Sequence, residues 1–61
     1  MTIAEIYNEY EMLNKPYQEG TTKTPEELHN EVMRHIDRIG NANPHWVRLN
    51  EIESNLRNWV F

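Results

Sequence analysis

The sequence predicts an all-α fold in which a short N-terminal helix accompanies an antiparallel helical hairpin. Apolar residues recur at three- and four-residue spacing along three stretches, which is the period of one helix face. Two of these stretches begin with Thr-x-x-Glu, the capping box that starts many helices, and proline or glycine separates the three. In 61 residues we therefore expect a single helical domain, with helices at about 3–15, 25–39 and 44–60.

The first helix is predicted to begin at a capping box made by Thr2 and Glu5. Its apolar face follows at helical spacing, with Ile3, Ile6, Tyr7, Tyr10 and Leu13. Pro16 ends the helix, because proline lacks an N–H and disfavours helical geometry in the residue before it. On the outer face, Glu5, Glu9 and Glu11 are expected to be solvated.

The nine residues from Lys15 to Lys23 form the longest predicted connection. Pro16, Gly20 and two threonines argue against regular structure there. We expect this connection either to wrap around the core or to serve as a contact loop.

The second helix has the strongest start signal in the chain, Thr24-Pro25-Glu26-Glu27. Threonine caps the helix, proline suits its first position, and Glu27 closes the capping box. The inner stripe is predicted to contain Leu28, Val32, Ile36 and Ile39, with Met33 on its flank. Gly40 is expected to end the helix in the left-handed conformation. The short link that follows favours an antiparallel hairpin with the third helix.

The third helix is predicted to begin after an Asn43 cap, with Pro44 at the first helical position. Its apolar stripe consists of Trp46, Leu49, Ile52, Leu56 and Trp59. Glu53 and Arg57 are four residues apart, with the acid first, and are expected to pair on the helix surface.

The last three residues, Trp59-Val60-Phe61, are all apolar, and a helix cannot turn three successive side chains to one face. We expect them to cap the core or to form a self-association interface. Alternatively they act as a docking tail, because interfaces are enriched in aromatic residues. The order hydrophobic-any-hydrophobic also fits the C-terminal ligands of PDZ-type domains.

The composition argues against several classes of function. There is no cysteine, so neither a disulfide nor a thiolate metal site can form. The net charge is −4 and no segment is basic, which makes a nucleic-acid partner unexpected. No apolar run approaches the roughly 20 residues of a membrane span, and the N-terminus lacks a signal-peptide pattern. We expect a soluble cytoplasmic protein that does not associate with membranes.

Residues that could carry out chemistry are few and poorly spaced. Glu31 and His35 could reach one metal ion, but a catalytic zinc site needs three protein ligands. His29 and His35 are instead expected to be surface residues. The single serine, Ser54, has no histidine at a useful spacing, and two glycines cannot build a phosphate-binding loop. We predict no enzymatic activity, no cofactor and no metal.

A surplus of aromatic residues supports the leading functional hypothesis. A three-helix core of this size does not need all of them, and aromatic residues are the anchors of many interfaces. The predicted partner-binding residues are Tyr7, Tyr10, Tyr17, Trp46, Trp59 and Phe61. We expect a protein–protein interaction module that forms a homodimer and regulates or inhibits a larger protein. In style it is similar to the small accessory proteins of phages and mobile elements, although no stretch matches a family motif.

Three alternatives fit the sequence less well. The outline of helix, Gly40 turn and helix resembles a helix-turn-helix, but the third helix starts with His45-Trp46-Val47-Arg48, which offers little for reading base edges. An acidic helical surface could imitate DNA, although the carboxylates are spread out rather than laid in rows. The chain could also be a purely structural subunit of an assembly.

Overall fold

The computed structural model describes residues 1–15 and 20–60. They form three helices, α1 (Ile3–Leu13), α2 (Pro25–Ile39) and α3 (His45–Val60), and no strand occurs in this part of the chain. The predicted all-α class is therefore confirmed. α1 ends two residues before the expected position 15, and α3 begins one residue after the expected position 44.

Both predicted capping boxes are present and reciprocal. The Thr2 hydroxyl accepts from the Glu5 backbone N–H at 3.1 Å, and the Glu5 carboxylate accepts from the Thr2 N–H at 2.7 Å. Thr24 and Glu27 repeat the exchange at 3.1 Å in each direction. The bond from the Thr2 backbone lowers the pKa of Glu5 below its ordinary value, and the bond from the Thr24 backbone does the same to the pKa of Glu27.

The start of α3 is also fixed locally. The Asn43 side-chain oxygen accepts from the His45 backbone N–H at 2.8 Å, and the Asn43 carbonyl accepts from the Trp46 N–H at 3.0 Å. Asn43 therefore caps the helix as predicted. Helix assignments often differ by one residue at such an end, which accounts for the placement of Pro44 in the turn before His45.

Gly40 ends α2 in a conformation that differs from the left-handed one expected. Its φ of 71° is positive, as predicted, but its ψ of 171° is extended. This region of backbone space is essentially restricted to glycine, because a β-carbon would clash with the neighbouring peptide groups. The Gly40 N–H still donates to the Ile36 carbonyl at 3.3 Å, so the last turn of the helix is closed.

Seven of the described residues are buried and form the core, and they come from all three helices: Ile6, Leu13, Leu28, Val32, Leu49, Ile52 and Leu56. Partly buried apolar residues surround them, namely Met1, Ile3, Tyr7, Tyr10, Ile36 and Ile39. All seven core residues belong to the apolar stripes identified in the sequence. α2 packs extensively on α3 and less extensively on α1, so the hairpin is the main body of the fold.

The helix directions follow from contacts between distant residues. His29, in the first half of α2, contacts Glu53, in the second half of α3, so these two helices are antiparallel. Met1 lies against Glu31, near the middle of α2, and against His35, in its second half, whereas Leu13 shares a cavity with Pro25 at the start of α2. α1 is therefore antiparallel to α2 and runs parallel to α3.

Candidate functional site: the groove between α1 and α3

A cleft of about 450 Å³ lies between α1 and α3. Its lining residues are Tyr7, Tyr10, Glu11 and Asn14 from one wall and Arg48 from the other, and this set is called the α1–α3 groove below. Tyr7, Tyr10 and Asn14 are three and four residues apart, which places them on one side of α1. The α1 wall of the groove is thus the edge of the same α1 face that packs into the core.

The two tyrosines join the parallel helices through their hydroxyl groups. The Tyr10 hydroxyl accepts from the Asn55 side-chain amide at 2.8 Å, and the Tyr7 hydroxyl shares a hydrogen bond of 2.8 Å with His45 Nδ1. The rings of Tyr7 and His45 lie 5.7 Å apart at a tilt of 52°. The apolar bodies of both tyrosines pack on the core while their polar ends reach α3, an arrangement that suits tyrosine at the edge of a core.

Arg48 is held in place from two directions. Its guanidinium carbon lies 5.7 Å from the centre of the Tyr10 ring, within the range of a cation–π contact. Its Nη1 donates to the Glu51 carboxylate at 2.8 Å. About half of the arginine side chain remains exposed, so a positioned cation faces outward at the rim of the groove.

Trp59 extends the same side of α3 toward its C-terminal end. It lies four residues after Asn55 and eleven after Arg48, and at about 100° per residue Arg48 and Trp59 are separated by only about 20° around the helix. Along the axis they are roughly 17 Å apart. Trp59 is 46% exposed, which is a large fraction for a tryptophan.

The structure describes four of the six predicted partner-binding residues, and these four do not all lie on one side of the molecule. Tyr7 and Tyr10 line the groove, and Trp59 lies beside it. Trp46 is thirteen residues before Trp59, so the two tryptophans point about 140° apart around α3, and Trp46 is partly buried on the other flank of the helix. Tyr17 and Phe61 lie outside the described residues.

Two histidines expected on the surface instead link separate parts of the fold. His29 Nε2 lies 2.9 Å from the Glu53 carboxylate, and its side chain is only 12% exposed. Glu53 also pairs with Arg57 at 3.4 Å, as the sequence predicts. His35 Nε2 donates to the Met1 carbonyl at 2.6 Å, since a carbonyl can only accept. Residues this far apart in sequence give no periodic signal, so the pattern of the sequence could not reveal either contact.

Glu9 is also more than the solvated surface residue that was expected. Its carboxylate accepts from the Thr22 hydroxyl and, at 3.0 Å, from the Thr22 backbone N–H, which attaches the connection before α2 to the outer side of α1. The hydrogen bond from the Thr22 hydroxyl lowers the pKa of Glu9 below its ordinary value. The Glu9 carboxylate therefore has a structural role, because its hydrogen bonds hold the connection against α1.

Two further clefts, of about 310 and 470 Å³, lie where residues 21–24 meet the first two helices. Neither is lined by an aromatic residue, and several of their polar side chains already hydrogen-bond to one another. Within residues 1–15 and 20–60, no group of three or more metal-binding side chains is placed to hold an ion. None of the helices in the described residues combines the length and the apolar character that crossing a membrane requires.

Comparison with known proteins found no matching family model, no significantly similar curated protein and no significantly similar solved structure. The side chains of the groove are therefore what indicates a function.

Proposed function

We propose that this chain is a small non-enzymatic protein-interaction module that binds another protein through the α1–α3 groove and the adjacent Trp59. One observation carries the proposal: Tyr7, Tyr10 and Arg48 line one groove, and exposed Trp59 lies on the same side of α3 as Arg48, roughly 17 Å farther along the helix. Tyrosine, tryptophan and arginine are the residue types that contribute most of the binding energy in protein interfaces.

The groove is also organised before any partner arrives. The hydroxyls of Tyr7 and Tyr10 are fixed by His45 and Asn55, and the Arg48 guanidinium is held over the Tyr10 ring. Side chains that are already ordered lose little conformational entropy on binding, so more of the contact energy appears as affinity.

Trp59 supplies apolar surface that a partner can bury. With 46% of its area exposed, roughly 100 Å² remains available, and covering it would contribute about 2–3 kcal/mol to binding. Two other exposed apolar residues, Val47 and Met33, do not extend this surface. Val47 lies two residues before buried Leu49, so its side chain points to the opposite side of α3 from Leu49. Met33 belongs to a different helix, α2. A regulator or inhibitor of this kind would act by occupying a site on a larger protein.

Site-specific photo-crosslinking in cells that naturally make the protein tests the proposal. A photoreactive residue at Ala4, which is exposed and lies two helical turns before Glu11, should give an adduct of defined mass. The matched control is Asn30, which is exposed on α2 two residues after buried Leu28, and it should give no such adduct.

The combination of Trp59→Ala and Arg48→Ala should abolish the Ala4 adduct while circular dichroism shows the helices intact. If the same adducts form from Ala4 and Asn30, or if the double substitution leaves the Ala4 adduct unchanged, the groove is not the binding surface and the proposal is wrong.

A further inference from the structure

We infer that the occupant of the α1–α3 groove is a second copy of this chain, in a two-fold symmetric dimer where Glu11 of each copy pairs with Arg48 of the other. The inference rests on the proposed function, whose binding surface it uses. It names the partner and the charged contact that selects it.

The first argument is charge complementarity. Glu11 lies on the α1 wall of the groove and Arg48 lies on the α3 wall. In a two-fold interface the same patch meets itself, and when the two-fold axis runs along the groove, each wall of one copy faces the opposite wall of the other. A patch with one acid and one base on opposite walls is therefore complementary to itself.

The pairing of one acid with one base in the groove contrasts with the charge of the rest of the molecule. The chain has a net charge of −4, so most surfaces of two copies repel each other. Glu11 is exposed, and within the described part of the chain its carboxylate makes no ion pair. Tyr10 and Glu51 already position the Arg48 side chain, so its guanidinium can donate to a second carboxylate without further ordering of that side chain.

The helix directions allow such a dimer to close. α1 and α3 are parallel and flank the cleft, so a two-fold axis that runs along the cleft, parallel to both helices, places α1 of one copy opposite α3 of the other. Glu11 and Arg48 line the same cleft, so this rotation brings each of them opposite the other residue in the second copy. Trp59, roughly 17 Å beyond Arg48 along α3, then lies past the C-terminal end of α1 of the second copy.

Dimerisation would also stabilise a small fold. Only seven residues are buried among those described, and domains of about 60 residues have little apolar area to bury on their own. An association that binds the folded chain and not the unfolded chain raises stability in proportion to the logarithm of concentration.

The test is sedimentation equilibrium across a dilution series of the full chain. The unsubstituted chain should reach twice its mass. Glu11→Arg places two arginine pairs across the interface, and Arg48→Glu places two glutamate pairs there. Each should raise the dissociation constant about tenfold or more.

An equimolar mixture of Glu11→Arg and Arg48→Glu is the decisive sample. In the mixed dimer both contacts regain opposite charges, so the dissociation constant should return to within about threefold of the unsubstituted value. Arg34→Glu is the matched control. Arg34 pairs with Glu31 three residues away, as Arg48 pairs with Glu51. Arg34 is exposed and lies on α2, away from the groove, so its substitution should leave dimerisation unchanged.

Circular dichroism establishes that each variant is folded. If Arg48→Glu unfolds, Glu11→Gln and Glu11→Arg still form a graded pair that should weaken the dimer in that order. A chain that remains a monomer at millimolar concentration overturns the inference, and so does a mixture that dissociates as readily as its two components.

The outcome is distinguishable from failure of the proposed function. A monomer that gives an Ala4 adduct with a different protein retains the interaction function and excludes the second copy as occupant. A monomer without any specific adduct excludes both. A dimer that is insensitive to both charge reversals excludes this surface.

Discussion

The Tyr10 hydroxyl accepts a hydrogen bond of 2.8 Å from the Asn55 side-chain amide, across 45 residues of sequence. This bond joins the first helix to the third, whereas α1 packs mainly on α2. The Tyr10 ring also carries the Arg48 guanidinium, so one side chain both positions α1 and organises the groove.

Removing the Tyr10 hydroxyl should loosen α1 without disturbing the core. We expect Tyr10→Phe and Asn55→Ala each to lower the free energy of unfolding by about 0.5–1.5 kcal/mol, the net value of one hydrogen bond. Because both substitutions break the same bond, the double variant should cost clearly less than the sum of the single variants. Urea denaturation of the unsubstituted chain, the two single variants and the double variant completes this double-mutant cycle. Purely additive losses in the free energy of unfolding would show that the bond contributes nothing to stability.

Glu53 should be more important than its ion pair with Arg57 on the helix surface suggests. Glu53→Ala removes a carboxylate that is 14% exposed and contacts both His29 and Arg57, and we expect a loss of about 1–3 kcal/mol in the free energy of unfolding. Arg57→Ala removes only the exposed partner and should cost about 0.5 kcal/mol or less. Thermal unfolding at matched protein concentration compares the two variants. Equal losses of stability in both would contradict the inferred role of the contact with His29.

Gly40 should resist substitution because of its backbone alone. Its φ of 71° and ψ of 171° strain any L-residue, although a β-carbon there would meet nothing within 4 Å beyond the two adjacent residues of the chain. We expect Gly40→Ala to lower the free energy of unfolding by about 1–3 kcal/mol. A chemically synthesised chain with D-alanine at position 40 is the matched control, because D-residues favour positive φ. If the two alanines destabilise equally, backbone strain is not the cause.

Acid should weaken the attachment of the connection to α1. Because the pKa of Glu9 is lowered in the folded state, its contribution to stability is present above the ordinary value of 4.5 and is lost as the pH falls through the lower folded value. Thr22→Val removes the hydroxyl donor and keeps the backbone donor. The pKa of Glu9 should therefore rise toward 4.5, and part of the loss of stability in acid should disappear.

An NMR titration of the glutamate carboxyl carbons measures this change directly. Glu5 is the internal control, since Thr2, which lowers its pKa, is untouched by the substitution. A Glu9 titration that does not move in Thr22→Val would contradict the assignment of the hydroxyl as the main cause.

The local features of this fold could be predicted because they depend on residues close in sequence. Thr2 and Glu5 meet because a helix start places them three residues apart, and Asn43 caps α3 for the same reason. The ψ of Gly40 could not be predicted, because both its observed and its expected conformations suit glycine and the path of the following link selects between them.

The candidate site could be predicted only in part. Aromatic residues stand out in the sequence, but helical periodicity assigns a residue to a face and not to a neighbouring helix. Trp46 and Trp59 belong to one apolar stripe of three- and four-residue steps, yet these steps drift around the helix and separate the two side chains by about 140°. Arg48 belongs to a helix start that offers little for reading base edges, and its place over Tyr10 follows only from the position of α1 beside α3.

Spacing within each helix and side-chain hydrophobicity were enough to predict the three helices, their N-terminal caps and the apolar stripes that contain the buried residues. The tertiary structure decided which helix lies beside which, and with it the pairs His29 and Glu53, Tyr10 and Asn55, and Thr22 and Glu9. Their partners are 24, 45 and 13 residues apart. At such separations, only the packing of the apolar faces determines which polar groups come within hydrogen-bonding distance.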